Sequence, residues 1–485
     1  MSRWHSAQRG RVSGSCASQL ASALLLASLA GCTLSPKGVE RERASLADAG
    51  KPYEGEFEHR VLPEIPESPA WNDILRRALA ADGDAEAAYF RWAAAMERVT
   101  AAGAYPNSDI SVGAEYMFSG GDMKTFDKTT FRAGFDPSMN LSLPVKVRQE
   151  AEMALSEAKM AAAQFRVAKF DIQRDALFGW ADYKRMAREI ELRRSEISLR
   201  RVMLEASRVK VGSMGDPQML IAADLGLQRA ESALRDDETQ FTNMRAMLNS
   251  LLARDPRDPL NVPAAPEPFP EVPEDDWQMI QAAVNTFPEV AEFAAEVKGR
   301  EDALELARLR WVPDISLSVG FTGTISQFVE GMVTLPTTVA KIRAGIREAQ
   351  AQLRASQATL RQKRADRLSE YFTLVIGLRN AQRREKLFTT VILPGTARVA
   401  EATARNYEVG KGGFDQVIEA RMLAIEAEMT LAATRAEIEK ALVDISCCLG
   451  VDLDALDPAK GPVSPPPHAP QPENPEPHAH SETMP

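Results

Sequence analysis

Histidine and cysteine are where chemistry would start in this chain, and both are scarce: five and four among 485 residues. His5 and His59 lie near the start and His468, His478 and His480 near the end, so the stretch carrying every predicted helix and strand has no histidine. A Ser–His or Cys–His pair cannot be assembled there. No glycine-rich phosphate loop follows a strand, so nucleotide binding has no motif either. Cys447-Cys448 could close a strained vicinal disulfide or hold a soft metal. Standing just before Leu449-Gly450, the pair equally suits two small buried side chains ahead of a glycine cap. His478 and His480 are the closest histidines and could capture Zn or Cu weakly, but the Pro-rich tail around them fixes no geometry. The chemistry therefore predicts no enzyme and no cofactor, with that pair the sole weak metal candidate.

What remains is architecture. A composition 45% hydrophobic but only 6% aromatic points to long helices rather than an enzyme core. The net charge is −10, and no basic stripe offers nucleic acid a surface.

Arg3, Arg9 and Arg11 head an apolar run, Leu20 to Ala30, that is too short to span a bilayer and reads as a secretory signal. It ends in Leu29-Ala30-Gly31-Cys32, which resembles the lipobox of bacterial lipoproteins; the bland alternative is an ordinary signal with an incidental thiol. The resemblance implies that residues 1–31 are removed and Cys32 is lipidated. Thr33, in place of the Asp that the lipoprotein pattern associates with inner-membrane retention, favours the outer membrane. Residues 32–69 are then expected as a polar, Pro-broken tether.

Beyond it the chain reads as two copies of one unit, 70–253 and 277–453, joined by a Pro-rich linker, 254–276, and followed by a Pro- and His-containing disordered tail, 454–485. Trp71 and Trp277 each open a helix that runs into Pro and a strand. Ile110, Val112, Ala114, Tyr116 and Phe118 alternate with Ser111, Gly113, Glu115 and Met117, and Ile315 to Thr322 repeats the pattern. Return strands follow, the second expected to be short, and both finish in Leu-Pro (Leu143-Pro144, Leu335-Pro336). Helices from about Val145 to Lys210 and Val339 to Val409 would each run roughly 100 Å. Ile342, Ile346, Ala349, Leu353, Ser356 and Leu360 step by four and three, a coiled-coil seam, and Pro394 should kink or break the second helix. Near Gly212 and Gly410 glycines should reverse the chain into a returning helix. The fold class is mainly α with a β-barrel portion. Long antiparallel coiled-coil helices form an α-barrel, and four strands per protomer cannot close a membrane barrel, whereas three protomers supply about twelve.

Leu393-Pro394, Tyr407-Glu408-Val409-Gly410, Phe414, Val417 and Ala420-Arg421, with Pro313-Asp314-Ile315-Ser316-Leu317-Ser318 and Leu335-Pro336, resemble the TolC-like outer-membrane factor family in its lipidated branch. The likeness covers about Ala70 to Leu453; copy one departs from it, with Arg208 where copy two has Asn406 and no Pro in its long helix. The resemblance implies a homotrimeric exit duct in the outer membrane that conducts passively. Its partners would be a periplasmic adaptor and an inner-membrane pump, for which the resistance-nodulation-division type is one candidate. Carried over by position, Val211, Gly212, Ser213, Val409, Gly410 and Lys411 would be adaptor-docking tips, and Asp216 and Asp415 gate candidates. Helix capping or complementing the helix dipole is the competing role for both Asp residues. The rival function is a coiled-coil lipoprotein scaffold of the periplasm, without channel activity.

Overall fold

The computed structural model describes residues 34–104, 110–118, 124–135, 143–214, 217–263, 287–322, 326–451 and 453. Its helices are α1 (Val39–Gly50), α2 (Trp71–Ala81), α3 (Gly83–Gly103), α4 (Pro144–Met214), α5 (Pro217–Leu251), α6 (Pro288–Leu309), α7 (Val339–Leu387), α8 (Leu393–Glu408) and α9 (Phe414–Cys448). Its strands are β1 (Ile110–Tyr116), β2 (Thr129–Phe135), β3 (Asp314–Thr322) and β4 (Ser326–Thr334).

The duplication is plain in the elements. Each copy runs helix, hairpin, long helix, returning helix, and the returning helices α5 and α9 are each 35 residues long. Helix α4 is continuous over 71 residues, about 105 Å at 1.5 Å per residue. Its small residues let neighbours approach: Ala151, Ala158 and Ala176 are wholly covered and Ala163 nearly so. It packs on α3, α5, α6 and α9, which makes it the beam on which both copies are assembled. One core gathers Trp71, Ile74, Leu75, Trp92, Trp180 and Tyr183 from the first copy with Val443 and Leu453 from the second. A second core joins Phe287 and Val290 to Tyr371, Val375, Leu378 and Ile445.

Several expectations are corrected. Residues 34–69 are not an extended tether. Val39, Leu46, Ala49 and Tyr53 recur on one helical face and pack into the main core, while Arg60 clamps Glu86 through two charge-assisted bonds of 2.5 and 2.8 Å. The predicted helix from Trp71 to Ala104 is two helices, because Asp82 caps a new one: its carboxylate accepts from the Asp84 and Ala85 amides at 2.8 and 3.1 Å. Linker residues 254–263 fold back onto the first copy, with the Tyr183 hydroxyl donating to the Leu260 carbonyl at 2.7 Å. The rest of the linker, and the helix start at Trp277, lie outside the described residues. At Pro394 the α-helical pattern is interrupted, as expected, but the chain stays helical: a π turn, Phe388–Ile392, joins α7 to α8 just ahead of the proline.

The second hairpin is not short. Strand β4 begins at Ser326 and, like β3, has nine residues, which is the length a tilted membrane strand needs.

Candidate functional site

The two hairpins form one antiparallel sheet in the order β1-β2-β3-β4, with β2 paired to β3 across the copies. Positions 110, 112, 114 and 116 pair with 135, 133, 131 and 129; 131 and 133 pair with 321 and 319; and 315, 317, 319 and 321 pair with 333, 331, 329 and 327. Directly paired residues share a face, so one face collects Ala114, Tyr116, Phe131, Val329 and Val333. The other collects Gly113, Glu115, Thr130, Arg132, Thr322 and Glu330, with Phe328 as its apolar member, while Thr129 and Gln327 are the polar members of the first. The apolar face is left open: Val329 is 72% exposed and Val333 53%. Neither β1 nor β4 has a second neighbour strand among the described residues.

The sheet is rooted in the helices. Lys146, in the first turns of α4, donates to the Val312 carbonyl at 2.7 Å and to the Asp314 carboxylate at 2.8 Å, tying the base of the first long helix to the start of the second hairpin. Because α4 and the α7–α8 run leave the sheet and do not break, their far ends are the tips.

At the second tip the chain turns on Gly410, whose φ is +71°. The Lys411 amide donates to the Asn406 carbonyl at 2.8 Å and the Gly410 amide to the Tyr407 carbonyl at 2.9 Å, the paired bonds of a Schellman cap. Tyr407 and Phe414 meet across the turn with ring centroids 5.4 Å apart, and Val409, Gly410 and Lys411 are exposed. Asp415 lies in the first turn of α9, with its carboxylate back against Gly413. The dipole-complementing role accounts for that position.

The first tip differs from expectation. Val211, Gly212 and Ser213 lie inside α4, which continues to Met214, and α5 begins at Pro217. Asp216, Cys32, His478 and His480 lie outside the described residues.

Cys447 and Cys448 are unbridged and partly buried, and burial pushes both thiols up to about 12. Gly450, at φ +66°, caps their helix. They line a small cavity with Phe170, Arg174, Phe287 and Asp444, where burial raises Asp444 to about 6 despite Arg174. Thiols held so far from ionisation suit packing rather than metal binding. Among the described residues the one carboxylate and imidazole group close enough to share an ion is the exposed trio Glu56, Glu58 and His59. No helix among the described residues is long and apolar enough to cross a membrane.

No protein-family model matches the chain, and no curated protein matches it by sequence. Solved structures do match. The outer membrane protein VceC of Vibrio cholerae aligns with 14% identity over 78% of this chain and 96% of its own, with a TM-score of 0.61. The CmeC outer membrane channel of Campylobacter jejuni gives 14% identity, 79% and 85% coverage and 0.62. The MtrE outer membrane channel of Neisseria gonorrhoeae gives 15%, 78% and 88%, and 0.63. The chain therefore has the fold of these outer-membrane channels.

Proposed function

We propose that the chain is the outer-membrane exit duct of a tripartite export system, a TolC-like outer-membrane factor acting as a homotrimer. The observation that carries this reading is the sheet: mainly apolar on one face, mainly polar on the other, unpaired at both edges among the described residues, and continued directly into helices of about 100 Å. A sheet with these faces needs lipid outside and water inside, and its open edges need copies of itself. Three chains supply both. Exposed apolar residues spaced along α7, Leu368, Phe372 and Ile376, give the helices a matching face for a neighbouring copy.

In this reading Cys32 carries the lipid anchor and the long helices cross the periplasm. The exposed tip at Val409, Gly410 and Lys411, with the corresponding end of α4 at Val211, Gly212 and Ser213, meets the adaptor. Asp216 and Asp415 are the gate candidates. An inner-membrane pump supplies the work, and the duct contributes conduction and gating without bond chemistry. The scaffold alternative gives no use for a two-faced sheet.

The test is the mass of the detergent-extracted protein and its lipid labelling. A trimer that incorporates labelled palmitate, and loses the label in Cys32→Ala, agrees with the reading; a monomer in the soluble fraction contradicts it.

A further inference from the structure

The polar face of the sheet is ordered by charge. Its register sets Glu115 in a row with Thr130 and Thr322; the next row is Gly113, Arg132, Gly320 and Phe328; and the row after that ends with Ser318 opposite Glu330. Acid, base and acid therefore occupy successive rows of the pairing register.

The middle row is built rather than incidental. The Arg132 guanidinium carbon lies 5.6 Å from the centroid of the Phe328 ring, two strands away. The ring crosses β3 because that position is Gly320: a Cβ there would stand 2.3 Å from the Phe328 ring and 2.8 Å from the Phe131 carbonyl oxygen. On its other side Arg132 approaches the Glu115 carboxylate at 3.5 Å, and the Thr130 and Thr322 hydroxyls bond at 2.9 Å, closing β2 on β3 beside it. The Arg132 and Glu115 side chains are 55% and 73% exposed, so their pairing is weak and the guanidinium stays available to a passing solute.

We infer that Arg132 and Phe328 form a charge filter in the barrel lumen, a positive belt backed by aromatic rings and set between acidic belts of Glu115 and Glu330. It rests on the duct reading, in which three copies close the barrel around the polar face. Twelve strands about 4.8 Å apart and tilted by about 40° form a wall with a backbone radius on the order of 12 Å. Arginines reaching inward from that wall come within about 8 Å of the axis, one Debye length at physiological salt, so ions crossing that level sense their charge. Small inorganic cations should meet a barrier there that anions do not. Without Arg132 only the two acidic belts remain.

The experiment is the reversal potential of the full-length protein in planar bilayers under a KCl gradient. Arg132→Gln should move the cation-to-anion permeability ratio at least twofold toward cations, and Arg132→Glu further. Arg132→Lys should hold the wild-type ratio, as should Lys124→Gln, whose charge lies just before the short helix that leads into β2. Phe328→Ala should raise the open conductance. Channels whose reversal potential is the same in wild type, Arg132→Gln and Arg132→Glu would overturn the filter and leave the duct standing. Folded wild-type protein that forms no channel would remove the duct and the filter together.

Discussion

Ala253 and Gly450 occupy the same place in the two copies, just past the ends of the equal-length helices α5 and α9, and both have left-handed backbone, at φ +48° and +66°. The cap bonds match: the Arg254 amide donates to the Asn249 carbonyl at 2.8 Å, and the Val451 amide to the Ser446 carbonyl at 2.9 Å. The first copy thus keeps the geometry of a Schellman cap while carrying a Cβ that this geometry disfavours.

Ala253→Gly should therefore stabilise the protein, by about 0.5 kcal/mol, because relief of the left-handed strain outweighs the added unfolded-state freedom of glycine. Gly450→Ala should cost about 1 kcal/mol. Chemical denaturation of both variants in the same detergent checks the opposite signs; equal signs would refute the shared cap.

Gly410→Val should force a β-branched residue to φ +71° and distort the exposed tip. Adaptor cross-linking should be lost while the trimer still assembles. Gly212→Ala, which adds only a methyl to backbone that stays helical, should weaken cross-linking far less than Gly410→Val and favour the helix by up to about 1 kcal/mol. Loss of cross-linking in both variants or in neither would remove the distinction between the tips.

Asp444 is an acid raised to about 6 by burial, so the folded state holds its proton more tightly than the unfolded chain does. Stability on this account falls as pH rises from about 4 to about 6 and is level above that. Asp444→Asn should flatten that limb and stabilise the protein at pH 7 by roughly 1 kcal/mol, a figure discounted for the part of the group that water reaches. Thermal melts from pH 4 to pH 8 in both proteins give the comparison.

Val329→Asp places a charge on the open apolar face and should destabilise the barrel in the membrane, reducing outer-membrane recovery. Thr130→Asp, on the polar face, should be recovered at wild-type levels. Equal recovery of the two would mean that the faces are wrongly assigned.

The sequence displayed the architecture where one local rule governs. Period-two alternation marked β1 and β3, and the long apolar seam marked α7. It understated the length of β4 because the apolar residues of that strand fall on both faces, Val329 and Val333 on one and Phe328 on the other, which erases the alternation. Phe328 belongs with Arg132 two strands away, a relation that only the register reveals. Helix α4 runs through Gly212 because a glycine within a long helix is tolerated when the helix has partners along its length. The N-terminal helix was missed because Val39, Leu46 and Ala49 are thinly spread among charges. Its stability comes from the core it covers rather than from its own propensity.

The central claim is that three copies of this chain enclose one continuous passage. Electron microscopy of the full-length protein, extracted from outer membranes in detergent, tests it most directly. The account predicts a hollow three-fold particle with a barrel at one end and a helical section on the order of 100 Å long. Solid or monomeric rods without a barrel would contradict it.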